Sequence, residues 1–211
     1  MKLAPHIWLR LFVVGAIGGA ASDQIHVQAH VLAYPRDDVL QQSWWVAPNF
    51  GLAALLIALT GSGIARWATR LQPRTVDDRA LFTGFAWFTA AYLASALVPF
   101  APPLMMVLFA VTWLARVLPR RDRLPQLLEG VGLAVGGTCF EALLSSTGAF
   151  HYVHPDFGPV PSWLPGLYLH GAPLALAWLV RLQHGRNEQT VTDNASRAGY
   201  APDEPQIGGT C

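Results

Sequence analysis

Residues 80–115, ALFTGFAWFTAAYLASALVPFAPPLMMVLFAVTWLA, contain no Asp, Glu, Lys, Arg or His. A single α-helix of these 36 residues would be about 54 Å long, whereas the hydrocarbon core of a bilayer is about 30 Å thick. The run must therefore fold back on itself. Pro99, Pro102 and Pro103 supply the break, because proline interrupts a helix but is favoured at its first position. The sequence predicts two membrane-spanning helices here, near residues 80–98 and 102–116.

The whole chain has the composition of a membrane protein. Of its 211 residues, 53% are hydrophobic and 13% are charged, and the charged fraction is about half of the roughly 25% usual for a soluble domain. The net charge of +1 gives no basic surface for nucleic acid, so no nucleic-acid partner is expected. The two cysteines, Cys139 and Cys211, do not suggest a disulfide framework.

Gaps between charges predict four more spans, near residues 7–25, 44–65, 124–147 and 163–180. The predicted fold is therefore an all-α, polytopic integral membrane protein whose six-helix transmembrane domain covers residues 1–183. Residues 184–211 are polar and are predicted to form a disordered cytoplasmic tail.

Basic residues are concentrated in alternate loops, which orients the spans. The outer loops carry only Arg36, next to Asp37 and Asp38. The positive-inside rule then places both termini in the cytoplasm. The basic residues on the cytoplasmic side are Lys2, Arg10, Arg66, Arg70, Arg74, Arg79, Arg116, Arg120, Arg121, Arg123, Arg181 and Arg186.

Residues 1–22 leave an alternative open. A basic start, an apolar stretch and the small residues at 18–22 also resemble a signal peptide. Cleavage there would leave five spans with an outer N-terminus and would not change the rest of the topology.

Asp23, His26 and His30 share one helical face. The predicted topology places them on the outer side of the membrane, the same side as His151, His154 and Asp156 of a later loop. These residue types bind metals, but they are also ordinary at the polar ends of membrane helices. The solvated-surface interpretation is favoured and no metal is assigned.

Two carboxylates lie within the fifth predicted span. Glu141 is deep in the span, where it indicates either a polar contact in an internal pocket or a proton site, or a neutral side chain bonded to a neighbouring helix. Glu129 is less than two turns from Arg123 and is expected to reach the interface in a structural role. The two residues are 12 positions apart and do not share a helical face.

Four motifs resemble the insulin-induced gene (Insig) family in order and spacing: residues 43–48 (SWWVAP), 94–100 (ASALVPF), 154–157 (HPDF) and 162–165 (SWLP). The resemblance covers roughly residues 7–183. It implies a six-helix membrane fold with both termini in the cytoplasm and a function in lipid sensing, because animal members bind oxysterols and retain two sterol-sensing-domain partners, Scap and HMG-CoA reductase. Thirteen arginines to one lysine suggest a bacterial homologue, expected in the plasma membrane; a eukaryotic chain would be expected in the endoplasmic reticulum.

The resemblance also suggests site residues. Phe88 is similar to a sterol-contacting phenylalanine of the family, and Asp122 with Arg123 is similar to a partner-binding pair at the end of the fourth span. The aromatic pair that animal members carry near this aspartate is missing here, and Pro119 precedes it. This departure weakens the partner-binding assignment more than the fold.

The resulting hypothesis is a non-enzymatic protein that holds one apolar lipid or sterol-like molecule in a cavity among its helices. Phe88 and Tyr92 would line the cavity with Glu141, and Trp44 and Trp45 would close its outer end. Asp156, Phe157 and Trp163 would form the covering loop, in which Asp156 braces backbone N–H groups. No cofactor is expected other than the lipid, and the partners are another membrane protein or further copies of the chain. The alternative is a metal-dependent enzyme or transporter that uses Asp23, His26 and His30, or Glu141.

Overall fold

A computed structural model describes residues 5–69, 78–98 and 101–197 of the chain. It is all-helical apart from two strands of two residues each, as the sequence predicts. The helices are α1 (Pro5–Gln28), α2 (Val46–Thr69), α3 (Asp78–Leu97), α4 (Pro102–Val117), α5 (Arg123–Ser146) and α6 (Leu164–Arg197), and the strands are β1 (Leu32–Ala33) and β2 (His151–Tyr152).

The predicted spans agree with the helices to within a few residues, except at the end of α6. This helix continues to Arg197, so the disorder predicted from residue 184 is wrong for residues 184–197. No proline lies between Pro173 and Pro202, and nothing in the backbone therefore forces the helix to stop at the membrane surface. Residues 198–211 of the predicted tail lie outside the described residues, as do Pro99 and Phe100 of the predicted break.

Within the described residues, three helices are long and apolar enough to cross a bilayer: α2 over Val46–Ile64, α3 and α5. Helix α4 is equally apolar but shorter, at 16 residues. It begins with two prolines. Proline is favoured in the first turn of a helix because N–H groups at these positions have no partner within the helix.

Five helices form a ring. In the order α1, α2, α5, α6 and α3, each helix packs against the next and α3 returns to α1, while α4 lies outside and packs mainly on α6. Helices α2 and α6 approach each other where Gly61 lies against Leu176 and Leu179.

Glycines allow α1 and α2 to pack closely. A Cβ atom on Gly15 would lie 2.3 Å from the Cβ of Ala54, and one on Gly19 would lie 2.3 Å from the Phe50 ring. These distances are too short for any side chain, so the small residues set the helix separation.

A short antiparallel ladder joins two loops at the same end of the bundle. Leu32 pairs with Tyr152 and Ala33 pairs with His151, so the α1–α2 loop is tied to the α5–α6 loop. The chain reverses into each loop through a left-handed residue, His30 with φ 56° after α1 and Gly148 with φ 77° after α5. This is the backbone conformation that commonly ends a helix.

The α1–α2 pair and the α5–α6 pair form an internal repeat with an offset of 118 residues. Helix α1 begins and ends 118 residues before α5, and the left-handed residues His30 and Gly148 have the same offset. The isolated bridge between Val39 and Gln42 likewise corresponds to the one between Phe157 and Val160. The β1–β2 ladder joins the two repeats. Helix α3 lies between α6 and α1 and packs against both.

Candidate functional site

The repeat brings two acid–tyrosine pairs to the interior. Asp23 on α1 accepts a hydrogen bond of 2.7 Å from the hydroxyl of Tyr34. Glu141 on α5 accepts one from the hydroxyl of Tyr152. Both carboxylates lie 11 residues before their tyrosine, so the two halves of the chain build the same contact.

Each carboxylate has a second donor, and here the halves differ. Gln42 Nε2 donates to the same Asp23 oxygen that Tyr34 contacts, at 2.7 Å. The second oxygen of Glu141 accepts from the hydroxyl of Tyr168 on α6. Glu141 is therefore bonded to neighbouring elements through both oxygens, which is one of the two interpretations its sequence position allows.

The loop tyrosines are held in their protonated form. Burial, and then the Asp23 carboxyl, raises the pKa of Tyr34 far above its ordinary range. Burial followed by the Glu141 carboxyl does the same for the pKa of Tyr152. Both hydroxyls can therefore serve as donors throughout the pH range in which proteins are stable.

His26 lies one helical turn from Asp23 and is 2% exposed. Its Nε2 is 2.9 Å from the hydroxyl of Ser95 on α3. The ring also lies against two aromatic side chains, with centroids 4.9 Å from Tyr92 and 5.4 Å from Trp163. His26 thus links α1, α3 and the start of α6.

The proposed grouping of Asp23, His26 and His30 as metal ligands does not form. Asp23 and His26 are occupied by the protein partners above, and His30 is exposed in the turn after α1. Among the residues that the structure describes, no three His, Cys, Asp or Glu side chains are grouped as a metal site would require.

Phe88 and Tyr92 lie together, as their spacing predicts. Their ring centroids are 5.0 Å apart with an edge-to-face arrangement. Tyr92 is 8% exposed and belongs to a buried cluster that also contains Phe109, Tyr152 and Trp163. Phe88 packs against this cluster and lies 3.5 Å from the position that a Gly171 Cβ would take. The structure brings this pair into the aromatic interior that also contains Tyr168.

The two adjacent tryptophans separate. Trp45 packs against the same cluster, with its ring 5.7 Å from that of Tyr34. Trp44 is 65% exposed, and its backbone N–H donates to Asp38. The structure therefore does not bring Trp44 to the interior with the other predicted lining residues.

The α5–α6 loop is held by Asp156. Its two oxygens accept hydrogen bonds of 2.7 Å from the backbone N–H and the hydroxyl of Ser162. Trp163 is 7% exposed and belongs to the buried cluster, whereas Phe157 is 64% exposed. The loop thus covers the outer end of the interior with Trp163 rather than with Phe157.

Asp122 and Arg123 lie at the start of α5. Asp122 accepts hydrogen bonds from Arg120 Nε at 3.0 Å and from Gln126 Nε2 at 2.9 Å, whereas Arg123 is exposed. Burial of Asp122 opposes ionisation, but these bonds and the charge of Arg120 outweigh it and hold its pKa below the ordinary value.

The expectation that Glu129 reaches the interface is wrong. Glu129 is 2% exposed and accepts a hydrogen bond of 3.2 Å from Thr60 on α2. The contact joins α2 to α5. Glu129 and Glu141 face different neighbours, in agreement with the angle between them.

Sequence reasoning missed all four partners of the two carboxylates, Tyr34, Gln42, Tyr152 and Tyr168. A comparison of the chain with itself at an offset of 118 residues would have found the equivalent pair Tyr34 and Tyr152. That offset aligns Gly18 and Gly19 with Gly136 and Gly137, Asp23 with Glu141, Tyr34 with Tyr152, Asp38 with Asp156 and Trp45 with Trp163.

No family model matches the chain. The insulin-induced gene 2 protein of Gallus gallus is 27% identical over 165 residues, covering 76% of this chain and 73% of that protein. The insulin-induced gene 1 protein of Gallus gallus is 27% identical over 166 residues, covering 76% of this chain and 66% of that protein.

Two crystal structures have the same fold. MvINS, the Insig homologue of Mycobacterium vanbaalenii, superposes with a TM-score of 0.65 and 26% identity, covering 85% of this chain and 95% of that one. A cross-linked trimer of an MvINS cysteine variant gives a TM-score of 0.66 and 24% identity, with 86% and 96% covered. The chain is thus an integral membrane protein that is similar in sequence to the insulin-induced gene proteins and in fold to their mycobacterial homologue.

Proposed function

We propose that this protein holds one lipid or sterol-like molecule within the ring of α1, α2, α5, α6 and α3, and that occupancy regulates a membrane partner. The observation that carries the proposal is the pair of tyrosine-bonded carboxylates, buried Asp23 and half-buried Glu141, at the outer end of an aromatic interior. A ligand with an apolar body and a hydroxyl group matches this environment. The role is binding and regulation, without catalysis.

The polar groups support a hydroxyl-bearing ligand. Carboxylates and tyrosine hydroxyls can exchange a hydrogen bond with a ligand hydroxyl and still retain their own partners. Phe88 and Tyr92 on α3 offer aromatic faces one helical turn apart. Helix α3 also enters the ring only between α6 and α1, so ligand contact there would alter how α3 sits.

The same fold supports a topology and an assembly. We propose six spans with both termini in the cytoplasm, which the alternation of arginines favours. We also propose a homo-oligomer, because the solved MvINS variant is a trimer. The position of Asp122 at the arginine-rich end, beside exposed Arg123, suits contact with another membrane protein.

The test is the lipid that accompanies the protein on gentle extraction. We expect the wild type to carry about one lipid per chain by native mass spectrometry. A Phe88→Trp variant should lose most of it, because the larger ring overfills the space beside Tyr92 and Gly171.

Phe85→Trp is the matched control, since Phe85 lies three residues earlier on α3 and is 58% exposed. It should retain the lipid. Equal lipid content in the two variants, or a wild type without stoichiometric lipid, would contradict the proposal.

A further inference from the structure

A pocket lies at the arginine-rich end of the bundle, between α3, α4, α5 and α6. It has a volume of about 170 Å³ and is lined by residues of α3, α4, α5 and α6 together with Arg120. A single water needs about 10–15 Å³, so the pocket has room for a polyatomic group. Arg116 and Arg120 both line it.

Arg116 is fixed in place by neutral groups. Its guanidinium lies 4.8 Å above the Trp87 ring, and its Nη1 donates to His170 Nδ1 at 3.1 Å. His170 Nε2 donates in turn to the carbonyl oxygen of Phe109 at 3.2 Å, which sets the tautomer with a free acceptor at Nδ1.

The positive charge of Arg116 has no carboxylate within ion-pairing distance in the described part of the chain. Arg120 adds a second guanidinium to the lining, which forms an ion pair of 3.0 Å with Asp122. A half-buried, rigidly held guanidinium without a counter-ion suits a bound anion, and the planar fork of arginine matches phosphate.

Gln126 adds a different requirement. It lines the same pocket, is 2% exposed and donates through Nε2 to Asp122. Its Oε1 has no hydrogen-bond partner within the described residues. Leaving a buried carbonyl oxygen unpaired costs free energy. A ligand of this pocket is therefore expected to carry a hydrogen-bond donor as well as a negative charge.

We propose that this pocket binds the headgroup of an anionic phospholipid that carries a free hydroxyl, such as phosphatidylglycerol. The phosphodiester contacts Arg116 and Arg120, and the hydroxyl donates to Gln126. The acyl chains lie in the membrane, because the positive-inside rule puts this end of the bundle at the cytoplasmic headgroup layer. The site is independent of the ligand proposed for the ring.

The experiment measures lipid affinity by native mass spectrometry of the full chain in detergent. The probes are phosphatidylglycerol, phosphatidylethanol, which has the same phosphodiester charge but no hydroxyl, and phosphatidylcholine. We expect phosphatidylglycerol to bind most tightly. Arg116→Gln should weaken its binding about tenfold without changing that of phosphatidylcholine.

Arg121→Gln is the matched control, since Arg121 is exposed at the same end and does not line the pocket. It should change the affinity by less than about twofold. Equal losses in the two variants would overturn the proposal, because they would indicate general attraction to anionic membranes. Equal binding of phosphatidylglycerol and phosphatidylethanol would overturn the role of Gln126.

A measurement on the wild type avoids dependence on a folded Arg116 variant. Phosphatidylglycerol should raise the thermal midpoint above that in phosphatidylcholine, and soluble glycerol phosphate and inorganic phosphate should not. Stabilisation by the soluble anions alone would identify a free phosphate compound as the ligand and overturn the lipid assignment. Loss of the ring lipid in Phe88→Trp with unchanged phosphatidylglycerol binding would separate the two sites.

Discussion

At the scale of single residues, the two interior carboxylates, Asp23 and Glu141, differ in how their hydrogen-bond donors are distributed over the two oxygens. Each oxygen of Glu141 has one tyrosine hydroxyl, whereas one oxygen of Asp23 has two donors, Tyr34 and Gln42. Loss of one donor should therefore affect the two halves of the repeat differently, although the halves have the same backbone.

Tyr152→Phe removes the donor to one oxygen of half-buried Glu141 and leaves that oxygen without its partner. We expect the free energy of unfolding to fall by roughly 1–3 kcal/mol. Tyr34→Phe should cost less, because Gln42 still donates to the same oxygen of Asp23. Titration with sodium dodecyl sulfate, followed by circular dichroism, measures both changes.

Phe140→Leu is the control for this pair, since Phe140 neighbours Glu141 and is 44% exposed. It should change the free energy by less than about 0.5 kcal/mol. A loss in Tyr34→Phe as large as that in Tyr152→Phe would argue against the donor count.

Asp122 gives the protein a predicted pH dependence. Its pKa in the folded protein is lower than the ordinary value of 3.8, so the ionised carboxylate favours folding. This contribution is complete above the unfolded pKa and is lost as the pH falls through the folded one. The stability difference between the wild type and Asp122→Asn should therefore be constant from about pH 7 to about pH 5 and shrink below about pH 4.

Thermal midpoints in detergent across this pH range measure the difference. Arg123→Gln is the control, because Arg123 is the next residue along the chain and is exposed. A difference that grows as the pH falls would mean that the carboxyl is bound in its protonated form.

At the scale of helices, glycines decide which faces meet. A Cβ on Gly19 would lie 2.3 Å from the Phe50 ring of α2, and a Cβ on Gly137 would lie 2.6 Å from the Tyr168 ring of α6. The two glycines occupy equivalent positions in the repeat. The same close approach therefore joins α1 to α2 and α5 to α6.

Gly19→Ala and Gly137→Ala should each destabilise the bundle by roughly 1–3 kcal/mol, because an aromatic ring must move out of a packed position. Gly137→Ala should also disturb the bond from Tyr168 to Glu141. Thermal unfolding in detergent measures both changes.

The preceding residues, Gly18 and Gly136, provide the controls, since a Cβ there would have no atom within 4 Å. Alanine at either position should be neutral or stabilising by up to about 1 kcal/mol, because glycine is the poorer helix former. Equal effects at both members of a pair would show that helix propensity, and not close packing, determines the outcome.

At the scale of the whole molecule, the alternation of arginines predicts six spans with both termini in the cytoplasm. With Cys139→Ser and Cys211→Ser as background, we expect His154→Cys to react with a membrane-impermeant maleimide in intact cells. Arg121→Cys should react only after the cells are opened. Both positions are exposed, so a difference in labelling reports the side of the membrane.

Labelling of both positions in intact cells would contradict the six-span topology. Labelling of Arg121→Cys but not of His154→Cys in intact cells would mean that the orientation is opposite to the one given by the positive-inside rule. Either result would also remove the cytoplasmic location from the proposed phospholipid pocket.

The sequence alone determined the helical class and the positions of the six helices. This was possible because backbone polar groups in a bilayer must be paired within their own segment, so that charge gaps, chain length and prolines such as Pro102 carry the information locally. The prediction from sequence is wrong from residue 184 to residue 197, because a polar composition alone does not end a helix and no residue there stops it.

Only the tertiary structure decided which side chains meet. Asp23 and Glu141 could be recognised as polar groups in or next to a span, but their partners Tyr34, Tyr152 and Tyr168 come from loops and from a helix 27 residues away. The same holds for Arg116 and His170, which are 54 residues apart. The physical reason is that pairing depends on how closely helices approach and how the loops fold across their ends, and these are properties of the packed bundle rather than of any one segment.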